Sequence, residues 1–97
     1  MIVLNVTYTM QDGKKAEDFL KELENQGLAP YCRSEPGNIC YRYFFPADGE
    51  NLLFLLEKWT DEEALASHGK TENFARIGEL KTIFVESTEV RKFKVSD

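Results

Sequence analysis

The stretch NLLFLLEKWTDEEALASHGKTENF, residues 51–74, decides how this chain folds. Leu52 to Trp59 has the length and character of a strand, and five large apolar residues stand in a row from Leu52 to Leu56. Side chains alternate along a strand, so such a run buries residues on both faces of its sheet. Thr60 followed by Glu63 has the spacing of a capping box, which predicts a helix starting at Asp61. Gly69 ends that helix, and Thr71 caps a second short one carrying Phe74, Ile77 and Leu80.

Working outward, Ile2 to Thr9 is rich in β-branched and aromatic residues and predicts the first strand. Gln11-Asp12-Gly13 is turn chemistry. From Lys14, the spacing of Ala16, Phe19, Leu20 and Leu23 predicts an amphipathic helix. Gly27 and Pro30 interrupt it, so a kink or a second short piece reaches Arg33. Glu35-Pro36-Gly37-Asn38 turns the chain into a strand over 39–45, on which Ile39, Tyr41, Tyr43 and Phe45 share one face. Thr82 to Val95 predicts the last strand. The order βαββαβ predicts an α+β, ferredoxin-like domain over residues 1–97, an antiparallel sheet with helices on one face. The apolar 52–56 run then needs a cover for the other face, and no element remains to supply it. A second copy of the sheet is the simplest cover, which predicts a homodimer pairing into an α+β barrel.

Composition narrows the partners. A net charge of −5 argues against nucleic acid and anionic membrane surfaces, and no apolar run reaches membrane-spanning length. The first residues read as a strand rather than a secretion signal, and Cys32 and Cys40 as reduced thiols of a cytoplasmic protein. With two cysteines and one histidine, Cys and His alone do not make an ordinary zinc site, so no metal role is expected.

His68 is the single histidine, and it shares a helical face with Ala64 and Leu65, which points it at the sheet. Its plainer reading is a core histidine bonded to a neighbouring carbonyl or side chain. The aromatic content, Tyr41, Tyr43, Trp59 and Phe74 among it, would suit a flat aromatic ligand in a gap between helices and sheet. Asn5, an amide within an apolar strand, needs hydrogen-bond partners there, either as a satisfied core amide or through a bond across the dimer face. Arg42 and Glu57 lie within strands and would satisfy each other as a cross-strand pair.

Phe54 to Trp59, then Asp61, Ala64, His68 and Phe74, together with Arg33-Ser34-Glu35-Pro36-Gly37 before Tyr41 and Tyr43, resemble the antibiotic biosynthesis monooxygenase family. The resemblance spans nearly the whole chain, roughly residues 1–95. It implies a dimeric α+β barrel with a ligand pocket between helices and sheet in each subunit. The family includes cofactor-free oxidases of phenols and quinols, haem-degrading enzymes and an isomerase of phosphorylated autoinducer-2. The haem-degrading branch is similar at Asn5 but carries a tryptophan in place of His68 and a histidine near the position of Gly78. That second histidine is absent, which disfavours haem as a cofactor.

The quinol branch implies a monooxygenase that uses O2 and no cofactor. His68 would be the base, because histidine's ordinary pKa of about 6.5 lies near working pH. Asn5 would donate to the substrate oxygen, with Tyr41 or Tyr43 orienting it and Trp59 and Phe74 lining the pocket. An isomerase would use His68 as a proton shuttle and Arg33, Arg42 or Lys58 as a phosphate clamp. A third reading is a dimeric binding module without turnover.

Overall fold

A computed structural model describes residues 1–96. The elements are β1 (Ile2–Met10), α1 (Ala16–Asn25), α2 (Leu28–Ser34), β2 (Asn38–Phe44), β3 (Leu52–Trp59), α3 (Glu62–His68), α4 (Glu72–Phe84) and β4 (Val85–Lys94). The strands form one antiparallel sheet in the order β2-β3-β1-β4. This is the expected ferredoxin-like plan, with each helical crossover split in two. Gly27, in the left-handed region at φ 74°, makes the first split. Pro30 then falls in the first turn of α2, where its missing N–H costs nothing.

The helices cover one face of the sheet. Ile2, Leu4, Val6, Tyr8 and Met10 of β1 and Leu53, Leu55, Glu57 and Trp59 of β3 are buried there. Phe19 and Leu23 of α1, Ala29 and Cys32 of α2, and Ile77 and Leu80 of α4 are buried with them. Phe19 sits edge-on to Tyr8 at 5.5 Å and stacks on Phe84 at 5.6 Å. Truncating an aromatic so placed costs about 3–5 kcal/mol.

Four sequence expectations need correction. The last strand starts at Val85, because the helix before it runs on through Thr82 to Phe84. Ile77, Leu80 and Phe84 keep helical spacing, and Phe84 stacks on Phe19, which carries the helix past Thr82. Gln11 locks the junction, its amide reaching the carbonyls of Thr82 and Val85. The cap of α3 is Asp61, not Thr60: Asp61 accepts from the Ala64 N–H at 2.8 Å, while the Thr60 N–H bonds the Gly37 carbonyl.

The third and fourth corrections share a cause. The β2–β3 register shifts between Asn38 and Cys40, so Ile39 is a bulged residue and lies exposed. Tyr41 then sits opposite Glu57 on the helical face and Arg42 opposite Leu56 on the other. The Arg42–Glu57 pair therefore does not form. The Arg42 guanidinium lies over the Phe44 ring instead, 5.5 Å from its centroid.

The second face of the sheet is open. A groove of about 530 Å³ runs along it, lined by Asn5, Thr7, Phe44, Phe54, Leu56, Glu89 and Arg91 among others. Phe44 and Phe93 are exposed there. Among the described residues, no helix is long and apolar enough to cross a membrane.

Candidate functional site

The site is built where the α2–β2 turn meets the end of α3. Gly37 allows the approach: at φ 83° it occupies a conformation few other residues adopt, and a Cβ there would lie 2.5 Å from that of Ala64. With α3 seated this closely, its last residue, His68, comes to rest beside Glu35. Thr71 fixes the junction beyond, donating to the His68 carbonyl at 2.9 Å and capping α4 by accepting from the Phe74 N–H.

His68 is only 3% exposed, as its helical spacing predicts. Its Nδ1 lies 2.6 Å from Glu35 Oε2, and the side chains of both residues are nearly fully buried. Its Nε2 lies 3.9 Å from Glu57 Oε1, which accepts a hydrogen bond from Trp59 Nε1 at 3.0 Å. The ring packs against Trp59 at 4.7 Å, Phe74 at 5.2 Å and Tyr41 at 6.0 Å. The imidazole is therefore held between two carboxylates inside an aromatic cage.

Burial dominates the electrostatics. It raises the Glu57 carboxyl above its usual value, and Glu35 adds to the rise; the Trp59 hydrogen bond and His68 pull the other way. Burial also pushes the Cys32 thiol up to about 11 and raises the Tyr41 and Tyr43 phenols, which stay protonated as donors.

Of the residues singled out from sequence, His68, Tyr41, Trp59 and Phe74 come together, and Tyr43 adjoins Tyr41 edge-on at 5.7 Å. Asn5 does not join them. Its neighbours Leu4 and Val6 face the helices, so Asn5 points to the open face, exposed and opposite Leu56 and Arg91. It lies on the opposite face of the sheet from the His68 cluster. Arg33 is also committed elsewhere, donating to the Tyr41 carbonyl at 3.0 Å and pairing with Glu24 at 2.8 Å.

Glu35, Glu57 and Cys32 were not chosen from sequence. Glu35 looked like ordinary turn chemistry, and Glu57 was assigned a partner on the wrong face. Cys32 Sγ, a Glu35 carboxylate oxygen and a His68 ring nitrogen all lie within 4.8 Å of one another. A groove of about 320 Å³, lined by Glu35, Pro36, Gly37, Thr60, Asp61, Glu63, Ala64 and Ser67, reaches this cluster from outside at Glu35. His68 is not in its wall, so the groove reaches Glu35 but not the imidazole.

A split ferredoxin-like sheet with a histidine–carboxylate cluster beneath its helices defines a small α+β protein with an interior polar site. The chain belongs to the antibiotic biosynthesis monooxygenase family, whose profile matches residues 1–80. It is 40% identical over 74 residues to YcnE of Bacillus subtilis, provisionally named a monooxygenase, covering 76% of this chain and 75% of that protein. The solved structure of PA3566 from Pseudomonas aeruginosa matches 99% of this chain and 94% of its own, at TM-score 0.84 and 25% identity. An antibiotic biosynthesis monooxygenase-like structure from Caulobacter crescentus shares the fold at TM-score 0.86 and 23% identity, covering 99% of this chain and 90% of that one.

Proposed function

We propose that the protein is a cofactor-independent monooxygenase that oxidises a small aromatic or quinol-type substrate with O2, using His68 as the base. The observation that carries this reading is the 2.6 Å contact between Glu35 and His68 Nδ1. A carboxylate accepting from Nδ1–H fixes the tautomer and leaves Nε2 free to take a proton. Nε2 faces the interior, beside Trp59, Tyr41 and Glu57.

A phenolic O–H gives its proton to Nε2, and the electron-rich anion passes one electron to O2. The radical pair recombines with formation of a carbon–oxygen bond. Loss of water then leaves one oxygen atom in the product: for a hydroquinone, QH2 + O2 gives a hydroxyquinone and H2O. Tyr41, kept protonated by burial, is the nearest phenol able to donate to the developing oxyanion. Trp59 and Phe74 supply the apolar walls. The phosphate-isomerase reading loses its clamp, since Arg33 pairs with Glu24 and both Arg42 and Lys58 lie on the opposite face of the sheet.

The working form is a homodimer in which a second copy covers the open face, and Asn5 and Arg91 line that junction rather than the His68 site. Oxygen uptake by pure protein with a panel of hydroquinones and polycyclic phenols tests the reading. Uptake that falls about 10²–10⁴-fold in His68→Ala supports it, by the usual contribution of a general base. Equal uptake in the two proteins, or none in either, removes it.

A further inference from the structure

We infer that Cys32, Glu35 and His68 form a binding site for a borderline divalent cation of the zinc type, an inference that shares His68 with the oxidation proposed above but does not rest on it. The expectation of no metal rested on counting cysteines and histidines alone. The fold adds a carboxylate from the turn between α2 and β2, and the three donor atoms lie within 4.8 Å of one another. A tetrahedral zinc ion with bonds of about 2.0–2.3 Å holds its ligands roughly 3.3–3.7 Å apart. A small swing of Glu35 brings the cluster to that size, opening its 2.6 Å contact with His68 to admit the ion.

Three further features suit a cation. Cys32, Glu35 and Glu57 are three acids around one histidine, and among the described residues no lysine or arginine side chain bonds to any of them. An entering metal would displace the acidic protons, and its positive charge would offset the thiolate and carboxylate so formed. The outer contacts also fit. Glu57 Oε1, held by Trp59, stands 3.9 Å from Nε2, longer than a hydrogen bond, and would have to close on it to complete a carboxylate–histidine–metal relay for a metal on Nδ1. Asn73, anchored on the Leu28 carbonyl, donates to Cys32 Sγ at 3.3 Å. Finally, the outer groove that ends at Glu35 is lined by Asp61 and Glu63, an acidic approach for a positive ion.

The mixture of thiolate, imidazole and carboxylate selects Zn²⁺ or Co²⁺ over Mg²⁺ and Ca²⁺. Binding releases the Cys32 S–H proton and the proton shared by Glu35 and His68. With Nδ1 ligated, Nε2 keeps its hydrogen, so the bound metal and the free base exclude each other.

The test is a Co²⁺ titration of the reduced full-length protein, followed by sulfur-to-cobalt charge-transfer absorption. The expected result is a band that saturates at one cobalt per chain, is displaced by Zn²⁺ but not by Mg²⁺, and persists in Cys40→Ser. Cys32→Ser should abolish it, and Glu35→Gln, at the rim of the core, should weaken cobalt affinity about 10-fold or more. Absence of the band from the wild-type protein at millimolar cobalt, or its loss in Cys40→Ser, overturns the site. The readout needs no substrate, so a silent oxygen electrode beside a strong band removes the oxidation and leaves the metal site standing.

Discussion

Glu35 Oε2 and His68 Nδ1 meet at 2.6 Å across 33 residues of sequence, with both side chains nearly inaccessible to solvent. The contact joins the turn into β2 to the end of α3, so it is both a fold constraint and the device that orients the imidazole. Glu35→Gln keeps the shape and an accepting oxygen but removes the charge that stabilises a protonated ring. Quinol-dependent oxygen uptake should fall at least about tenfold in kcat, with KM little changed. Equal loss in KM would instead mark Glu35 as part of the substrate contact.

The buried Glu57 predicts a dependence of stability on pH. Its folded pKa is raised above the usual 4.5, chiefly by burial, so the native state binds this proton more tightly than the unfolded chain. Its contribution is fully present below about pH 4.5 and is lost as pH rises through the folded value. Glu57→Gln stays neutral and can still accept from Trp59 Nε1. The variant should therefore melt above the wild type at pH 7, and the gap should close as pH falls from the raised folded value to about 4.5. A gap that widens on acidification would show that His68, not burial, governs this carboxyl.

The distribution of these carboxylates explains what the sequence could and could not disclose. Element order, the single inward histidine and its aromatic cage follow from periodicity, because each is a local pattern. Glu35 is invisible to periodicity: its partner lies 33 residues away and its setting is turn chemistry. Asn5 and Arg42 failed for a related reason. Alternation says which residues share a face, but the bulge at Ile39 and the β1–β3 register decide which face meets the helices. The end of α4 misled because β-branched residues there obey a tertiary stack, Phe84 on Phe19, rather than their own strand preference.

Gly37 is the point where backbone conformation and site geometry meet. An alanine at φ 83° is strained, and its Cβ would press on the Cβ of Ala64 and on Thr60 Oγ1 at 2.8 Å. Gly37→Ala should cost about 1–3 kcal/mol in denaturant unfolding. Because α3 must retreat, it should also lengthen the Glu35–His68 contact and lower oxygen uptake. A variant as stable as the wild type would show that α3 has room to shift.

The open sheet face sets the last prediction. Leu52, Phe54 and Leu56 project from β3 on the side away from the helices, with Val3 of β1 beside them and Phe44 and Phe93 exposed at the margins. A patch of this kind is costly to leave in water and matches the strand-wide cover that a second sheet provides. A stable dimer buries at least about 1,200 Å² in total, so light scattering at micromolar concentration should give twice the 11.2 kDa of one chain. Phe54→Glu puts a carboxylate into that junction without touching the helical core, so it should yield a folded monomer with wild-type circular dichroism. If the wild type is itself monomeric at that concentration, the face is open in solution and the barrel is wrong. If Phe54→Glu stays dimeric, the two copies meet through another surface.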